Sequence, residues 1–510
     1  MRIFAVASRV AAMLVFASVA VVHAAATSPA SSGVVKVGVA EYSTFFLTPA
    51  GKLYSLGPGN ALGELGTAGG QAAYLPLATD FPAGTVIVDV AGGLHQSMAL
   101  DSGGNVWVWG GYLYSGNPAG GGSPDKFKPY KVLRDNLGNP FGNVVSIYAG
   151  AFIDAAIKAD GSLWVWGDTS GGLLGNGTAG GWTEYPTQVV MPGGGAVKQF
   201  STGYVANALM QNGAVYSWGG HGGYQSRRDL GLPYAGIDAV DYTRPQLVSL
   251  PSGTGSLVAM AASGSGARIF LNDLGQLYGF GYHGELLGQG TGAANVAVNL
   301  PTPKRIDVDL GLPLPVSKIA ASSTAFFAIL SDGSLWAWGD AVQGEVGNGQ
   351  GMDWAHAYNC LGSGTCGISN PGGGGGPYKW DWGVGELIVL RATRLFSPGH
   401  RFSQVFSGNA AAFYAYALDT DGRLYSWGRN KTGNLGNGRY PATGAQSSTL
   451  PNSWDVTLAT EVNPLRLRSY ACVVSPFCVA YPADASCQLS GPSAGGVCVP
   501  SDALFADRFE

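Results

Sequence analysis

One short pattern recurs seven times in this chain: Gly, any residue, Leu or Val, Tyr or Trp, any residue, an apolar residue that is usually Trp, then Gly. It opens at Gly51, Gly104, Gly161, Gly213, Gly275, Gly333 and Gly422, at intervals of 53, 57, 52, 62, 58 and 89 residues. A repeat of this length means that one supersecondary unit is copied and that each copy buries its apolar surface against its neighbours.

The physics of a single copy is readable. Asp-Gly or Asn-Gly stands at the head of four copies (Asp160-Gly161, Asn212-Gly213, Asp332-Gly333, Asp421-Gly422). Such pairs accept the positive φ of a tight hairpin turn. An apolar run such as Ser97 to Leu100, Ala155 to Ile157 or Tyr416 to Leu418 precedes the turn, and the motif itself supplies the returning strand. Residues two apart share a strand face, so Trp164 and Trp166 point one way while Leu163 and Val165 point the other. Both faces are apolar, and each small sheet therefore has to be covered on both sides. Sheets stacked around an axis meet that demand. An open stack needs polar end caps, and the first copy is as apolar as the middle ones. The pattern predicts an all-β fold, a closed seven-bladed β-propeller over residues 33–468.

Composition agrees. Of 510 residues 81 are Gly and only 12% are charged, yet 46% are hydrophobic, so low charge here does not mean disorder. The net charge of -4, with 28 basic residues, leaves no polycationic surface for a phosphate backbone, and nucleic acid is not expected as a partner.

A second signature follows most copies: Gly63 to Gly66, Gly172 to Gly177, Glu285 to Gly290, Gly344 to Gly349 and Gly433 to Gly438, each built on Gly-x-Leu/Val-Gly or a close variant. Together with the Leu-Tyr/Trp-x-Trp-Gly strand it resembles the repeat of the regulator of chromosome condensation family. That resemblance covers about residues 33–468. It implies a seven-bladed propeller whose ends, near 34–47 and 461–467, meet to close the ring. It departs from the family in places. Only the second copy keeps the family His, as His95, where Tyr42, Phe152, Tyr204 and Phe413 stand elsewhere. The second copy lacks the Gly-x-Leu-Gly run, the fourth keeps only Asp229 to Leu232, and an insertion, 351–386, lengthens the sixth interval. The founding member exchanges nucleotide on a small nuclear GTPase and binds chromatin. An exported acidic chain fits neither role and is more similar to secreted bacterial propellers that clamp β-lactamase through loops, an analogy of fold and compartment that transfers no residue.

Export is expected from residues 1–24: Arg2 and Arg9, the apolar run Val10 to Val22, then small residues around Ala24 suited to a signal peptidase. An uncleaved anchor is the alternative. No later run reaches the 18 apolar residues a spanning helix needs, so no transmembrane segment is expected after cleavage. The expected location is secreted, extracellular or at the cell envelope or periplasm. Six cysteines, an even count, fit disulfides there: Cys360, Cys366, Cys472, Cys478, Cys487 and Cys498. Zinc is the weaker reading, because no C-x-x-C pair occurs and His356 is the one nearby His. Cys360 and Cys366 are paired locally in this reading, and the other four leave three connectivities open. The tail, 469–510, carries those four in a Cys-rich appendage ending in Phe505-x-Asp507-x-Phe509-Glu510, similar to a sorting or surface-retention signal.

Motifs for chemistry are not found. There is no G-x-S-x-G elbow, no H-E-x-x-H and no Walker loop, and the Gly-rich runs follow hairpins without opening a helix. Asp419-x-Asp421-Gly422 begins like a calcium loop but continues with Leu424 and Ser426, so a turn is the better reading. Outside the leader, His95, His221, His283, His356 and His400 fall in different repeats without a shared signature, and ordinary hydrogen-bonded roles are expected. No catalytic residue, metal site or cofactor is assigned. Eight of the 13 Trp belong to the strand motif and are core. Aromatic residues outside it are the binding candidates: Trp182, Tyr224, Trp354, Tyr358, Trp380 and Trp382. The function expected is a monomeric, non-enzymatic scaffold holding a protein or surface glycan through blade loops; the alternative is a polysaccharide hydrolase or lyase.

Overall fold

The computed structural model describes residues 32–57, 62–68, 73–111, 126–168, 170–203, 205–220, 228–233, 240–264, 266–281, 284–288, 300–341, 343–349, 378–381, 386–408, 412–430, 433–437, 439–440, 456–465, 470–473 and 496–500. Seven antiparallel sheets follow one another along the chain, at residues 36–78, 87–131, 144–189, 197–247, 257–305, 316–394 and 402–462. These are the blades of a seven-bladed β-propeller, numbered 1 to 7 below. Each is a meander whose first strand is innermost, and blade 6 carries a fifth strand, Tyr378–Asp381, paired to its fourth, Glu386–Arg394. The insertion predicted for 351–386 thus ends in an added edge strand. Among the described residues no helix is long and apolar enough to cross a membrane.

The hairpin turns form as the Asp-Gly pairs require. All seven motif glycines have φ between 72° and 84°. Oδ1 of Asp160 accepts the backbone N–H and the hydroxyl of Ser162, at 2.9 and 2.6 Å, and Asp332 does the same with Ser334. Those bonds hold both carboxyls below the usual carboxylate range. The face assignment also holds. Trp164 and Trp166 pack towards blade 2 with Met98 and Leu100, while Leu163 and Val165 pack towards blade 4 with Val197 and Phe200.

The second signature turns out to be a latch between blades. Gly-x-Leu-Gly follows the third strand of one blade and lies on the Trp of the next blade's third strand. Trp109 Nε1 donates to the Glu64 carbonyl at 3.1 Å, Trp218 to Leu173 at 2.9 Å and Trp427 to Glu345 at 2.9 Å. The last glycine of the run has to be glycine: a Cβ at Gly347 would sit 2.5 Å from the Trp427 ring, at a φ of +78°. Leu65, Leu230 and Leu435 of these runs are wholly buried. The shortened fourth copy still latches, with Gly231 against Phe280 of blade 5.

Blade 7 meets blade 1 through a cluster that joins Val34, Val37 and Phe46 to Tyr414, Tyr416 and Val462, with Leu465 packed against it. Tyr414 supports it with polar bonds: its hydroxyl lies 2.9 Å from Thr44 Oγ1 and donates to the Ala40 carbonyl at 2.7 Å. Burial pushes that phenol up to about 12. At the outer edge Ser32 N–H donates to the Gly422 carbonyl at 2.9 Å. The two ends of the ring are therefore in contact, as the family resemblance implies.

Candidate binding surface

In a four-stranded meander the connections from strand one to two and from three to four leave one end of the blade. The hairpin turns and blade-to-blade connections leave the other. The propeller thus has a loop face and a turn face. Along its axis runs a cavity of about 390 Å³ lined by the innermost strands of all seven blades.

Innermost strands of neighbouring blades do not pair as a sheet, so polar groups lining the cavity find partners across the seams. Lys36 pairs with Asp89, between blades 1 and 2. Gln199 brackets Met260 of blade 5, donating to its carbonyl at 2.8 Å and accepting its N–H at 3.0 Å. Next to the lining strands, Lys318 donates to the Ser403 carbonyl of blade 7 at 2.6 Å. Much of the remaining wall is small and apolar, with Gly38, Ala91, Ala149, Ala261 and Ala320 among its residues. Of its polar side chains, Lys36 and Gln199 are thereby tied to a neighbouring blade.

Two His–carboxylate pairs stand at opposite faces. On the loop face His95 Nδ1 lies 3.3 Å from Glu64 Oε1 and stacks on Tyr42 at 4.8 Å. Burial, then the neighbouring Glu41, pushes the Tyr42 phenol up to about 12. Glu64 also accepts the Leu62 N–H at 3.0 Å, so it shapes the latch loop. On the turn face His400 Nε2 lies 3.2 Å from Asp419 Oδ2 and stacks on Phe402 at 4.8 Å. Asp419 accepts the N–H groups of Asp421 and Arg423, which makes Asp419-x-Asp421-Gly422 a turn. Each carboxylate is thus tied to its own backbone. Among the described residues no three His, Cys, Asp or Glu gather as a metal site would require.

Of the sequence candidates, Trp182 opens the fourth strand of blade 3, Trp182–Val189, opposite Asp168 at the loop face, and is 49% exposed. Trp380 lies in the edge strand of blade 6, opposite Leu387. Tyr224, Trp354, Tyr358 and Trp382 lie outside the described residues, as do Cys360, Cys366, Cys478 and Cys487, and His221, His283 and His356. All six aromatic candidates belong to connections between third and fourth strands, or to the strands that border them, in blades 3, 4 and 6.

Sequence reading missed a set of buried polar residues between blades. Asp154 is wholly buried, and among the described residues neither of its oxygens has a partner in good hydrogen-bond geometry; burial, only partly offset by the Gln96 side chain, holds its pKa well above the usual carboxylate range. Trp166, its cross-strand neighbour, has an Nε1 in the same state. Arg268 is 1% exposed and donates from Nε to Asn207 Oδ1 of blade 4 at 3.0 Å. The only sequence signal was an ionisable residue where the other copies carry mostly Ala, Thr, Ser or Phe.

A family profile described as the regulator of chromosome condensation (RCC1) repeat matches residues 421–457. The blades are of the RCC1 repeat type, matched directly at residues 421–457. The human E3 ubiquitin-protein ligase HERC2 is 26% identical over 385 residues, 70% of this chain but 7% of the ligase. The Arabidopsis thaliana ultraviolet-B receptor UVR8 is 24% identical over 321 residues, 62% of this chain and 66% of the receptor. Yeast RCC1 (Prp20), solved bound to Kap60, superposes with a TM-score of 0.60 at 17% identity, covering 98% of both chains. The RCC1-type repeat therefore accounts for the blades.

Proposed function

We propose that this RCC1-type propeller is an exported, non-enzymatic binding scaffold that engages a protein or a surface glycan through the third-to-fourth-strand connections of its loop face. The observation that carries the reading is topological. The meander sends those connections to one end, and an exposed Trp182 stands there on the rigid edge of blade 3. Aromatic anchors on a rigid scaffold are what binding hot spots are made of. Two of the polar side chains that line the cavity, Lys36 and Gln199, are engaged in holding neighbouring blades together, which supports a scaffold. Yeast RCC1, solved with Kap60, is a propeller of this fold that holds a protein. The ligase activity of HERC2 is not carried over, because the match spans 7% of that protein. Export rests on residues 1–24.

The test is crosslinked capture from extracellular and envelope fractions. Wild type is compared with Trp182→Ala and with a variant whose residues 351–386 are replaced by a short Gly-Ser linker. Loss of an anchor aromatic is expected to weaken binding by about 30-fold. Crosslinks confined to the turn face would overturn the loop-face assignment, and turnover of a polysaccharide panel would overturn the non-enzymatic reading. A chain recovered with its first 24 residues intact would overturn export through a cleaved leader.

A further inference from the structure

The tail returns to the propeller. Three short strands, Arg439–Tyr440, Tyr470–Val473 and Gly496–Pro500, form one antiparallel sheet with Gly496–Pro500 in the middle. Arg439 is opposite Val497 and Tyr440 opposite Gly496, so the tail is joined to the connection that precedes the last strand of blade 7. On the other side Tyr470 is opposite Pro500, Ala471 opposite Val499, Cys472 opposite Cys498 and Val473 opposite Val497. The register therefore sets two of the tail's four cysteines directly across from each other.

We propose that Cys472 and Cys498 form a disulfide that staples the tail hairpin and fixes Gly496–Pro500 against the edge strand Arg439–Tyr440. Directly opposed residues of an antiparallel pair have Cα atoms about 4.5 or about 5.5 Å apart. A disulfide spans Cα separations of about 4.4–6.8 Å, so a directly opposed pair lies within its reach. Strands as short as four, five and two residues are marginal without support. A crosslink between the two longer ones removes open conformations and keeps the third paired. Of the three connectivities open to the four tail cysteines, the register selects the one containing Cys472–Cys498.

The chemistry balances by thiol–disulfide exchange. One cysteine thiolate attacks an oxidised dithiol carrier, forming a mixed disulfide and releasing one carrier thiolate. The second cysteine thiolate then attacks the protein sulfur of that mixed disulfide and releases the other. Two protons and two electrons leave the protein, and the carrier disulfide becomes a dithiol. The proposal rests on export for its oxidant. Pairing and compartment can nevertheless be separated.

The full chain is oxidised in a glutathione redox buffer, free thiols are alkylated, and the unreduced protein is digested and mapped by mass spectrometry. A peptide joining Cys472 to Cys498 is expected, and it should split into two alkylatable thiols on reduction. Linkage of either residue to Cys478 or Cys487, or alkylation of both without reductant, overturns the proposal. Cys472→Ser should free one thiol, at Cys498, and Cys498→Ser should free one at Cys472; a thiol freed elsewhere also overturns it. The same map is made on protein isolated from its source. Link present in the redox buffer but thiols free in the isolated protein would keep the pairing and overturn export instead.

Discussion

The seam between blades 6 and 7 and the seam between blades 2 and 3 are built from the same strands and closed in different ways. At the first, Glu345 passes its carbonyl to Trp427 Nε1 at 2.9 Å and Gly347 lies flat on the indole. At the second, the Gly-x-Leu-Gly run is absent from the sequence, Trp166 Nε1 has no partner among the described residues, and Asp154 is buried beside it. Both indoles are fully excluded from solvent. Burial of the Trp is therefore independent of the latch, and the latch adds a satisfied donor and a fitted backbone surface. The comparison separates the hydrophobic part of a propeller seam from its polar part.

The sharpest way to break this comparison is to damage the latch. Gly347→Ala should destabilise the protein by about 2–4 kcal/mol, combining overpacking with strain at positive φ. Gly138→Ala, at φ +84° but with open space around its Cβ position, should cost about 1–2 kcal/mol. Denaturant unfolding of both variants measures the difference, and equal losses would mean that φ strain alone, not the indole contact, makes the glycine necessary. Next in size is the donor itself. Trp427→Phe and Trp166→Phe remove similar apolar surface, but only the first orphans a carbonyl, so it should cost about 1 kcal/mol more. Equal losses would show that the bond contributes nothing net.

The effect expected at Asp154 depends on pH and is absent in acid. Burial raises its folded-state pKa above the unfolded value of about 3.9. Its stability contribution is therefore complete below that value and falls as pH rises towards the folded pKa. Asp154→Asn should match wild type near pH 3.5 and exceed it increasingly as pH rises from there towards the folded-state pKa. Wild type and variant unfolding in parallel across that range would mean that the carboxyl is not desolvated in the folded state.

Much of this architecture was legible because it is local. The Asp160-Gly161 turn, the alternation of Trp164 and Trp166 with Leu163 and Val165, and the seven copies themselves follow from φ preference and strand period. The latch was half legible. Its Gly and Leu positions recur visibly, but their partner, the next blade's Trp, lies 45 residues away for Trp109 and 82 for Trp427, so no local rule identifies it. Asp154 and Arg268 were barely legible, as ionisable residues at a position that is uncharged in the other copies, since a charged residue in a strand is ordinarily placed at the surface. Of the aromatic binding candidates, Trp182 was the one whose exposure the structure describes, and it is exposed.

By itself the sequence determined the repeat, the turn chemistry and the need for each sheet to be covered on both faces, because these depend on neighbours a few residues apart. Tertiary structure decided which carbonyl each indole meets, which polar side chains become trapped between blades and that Cys472 faces Cys498. Those outcomes depend on atoms brought together across blades or across a long loop, and their energies arise only once the ring and its tail have closed.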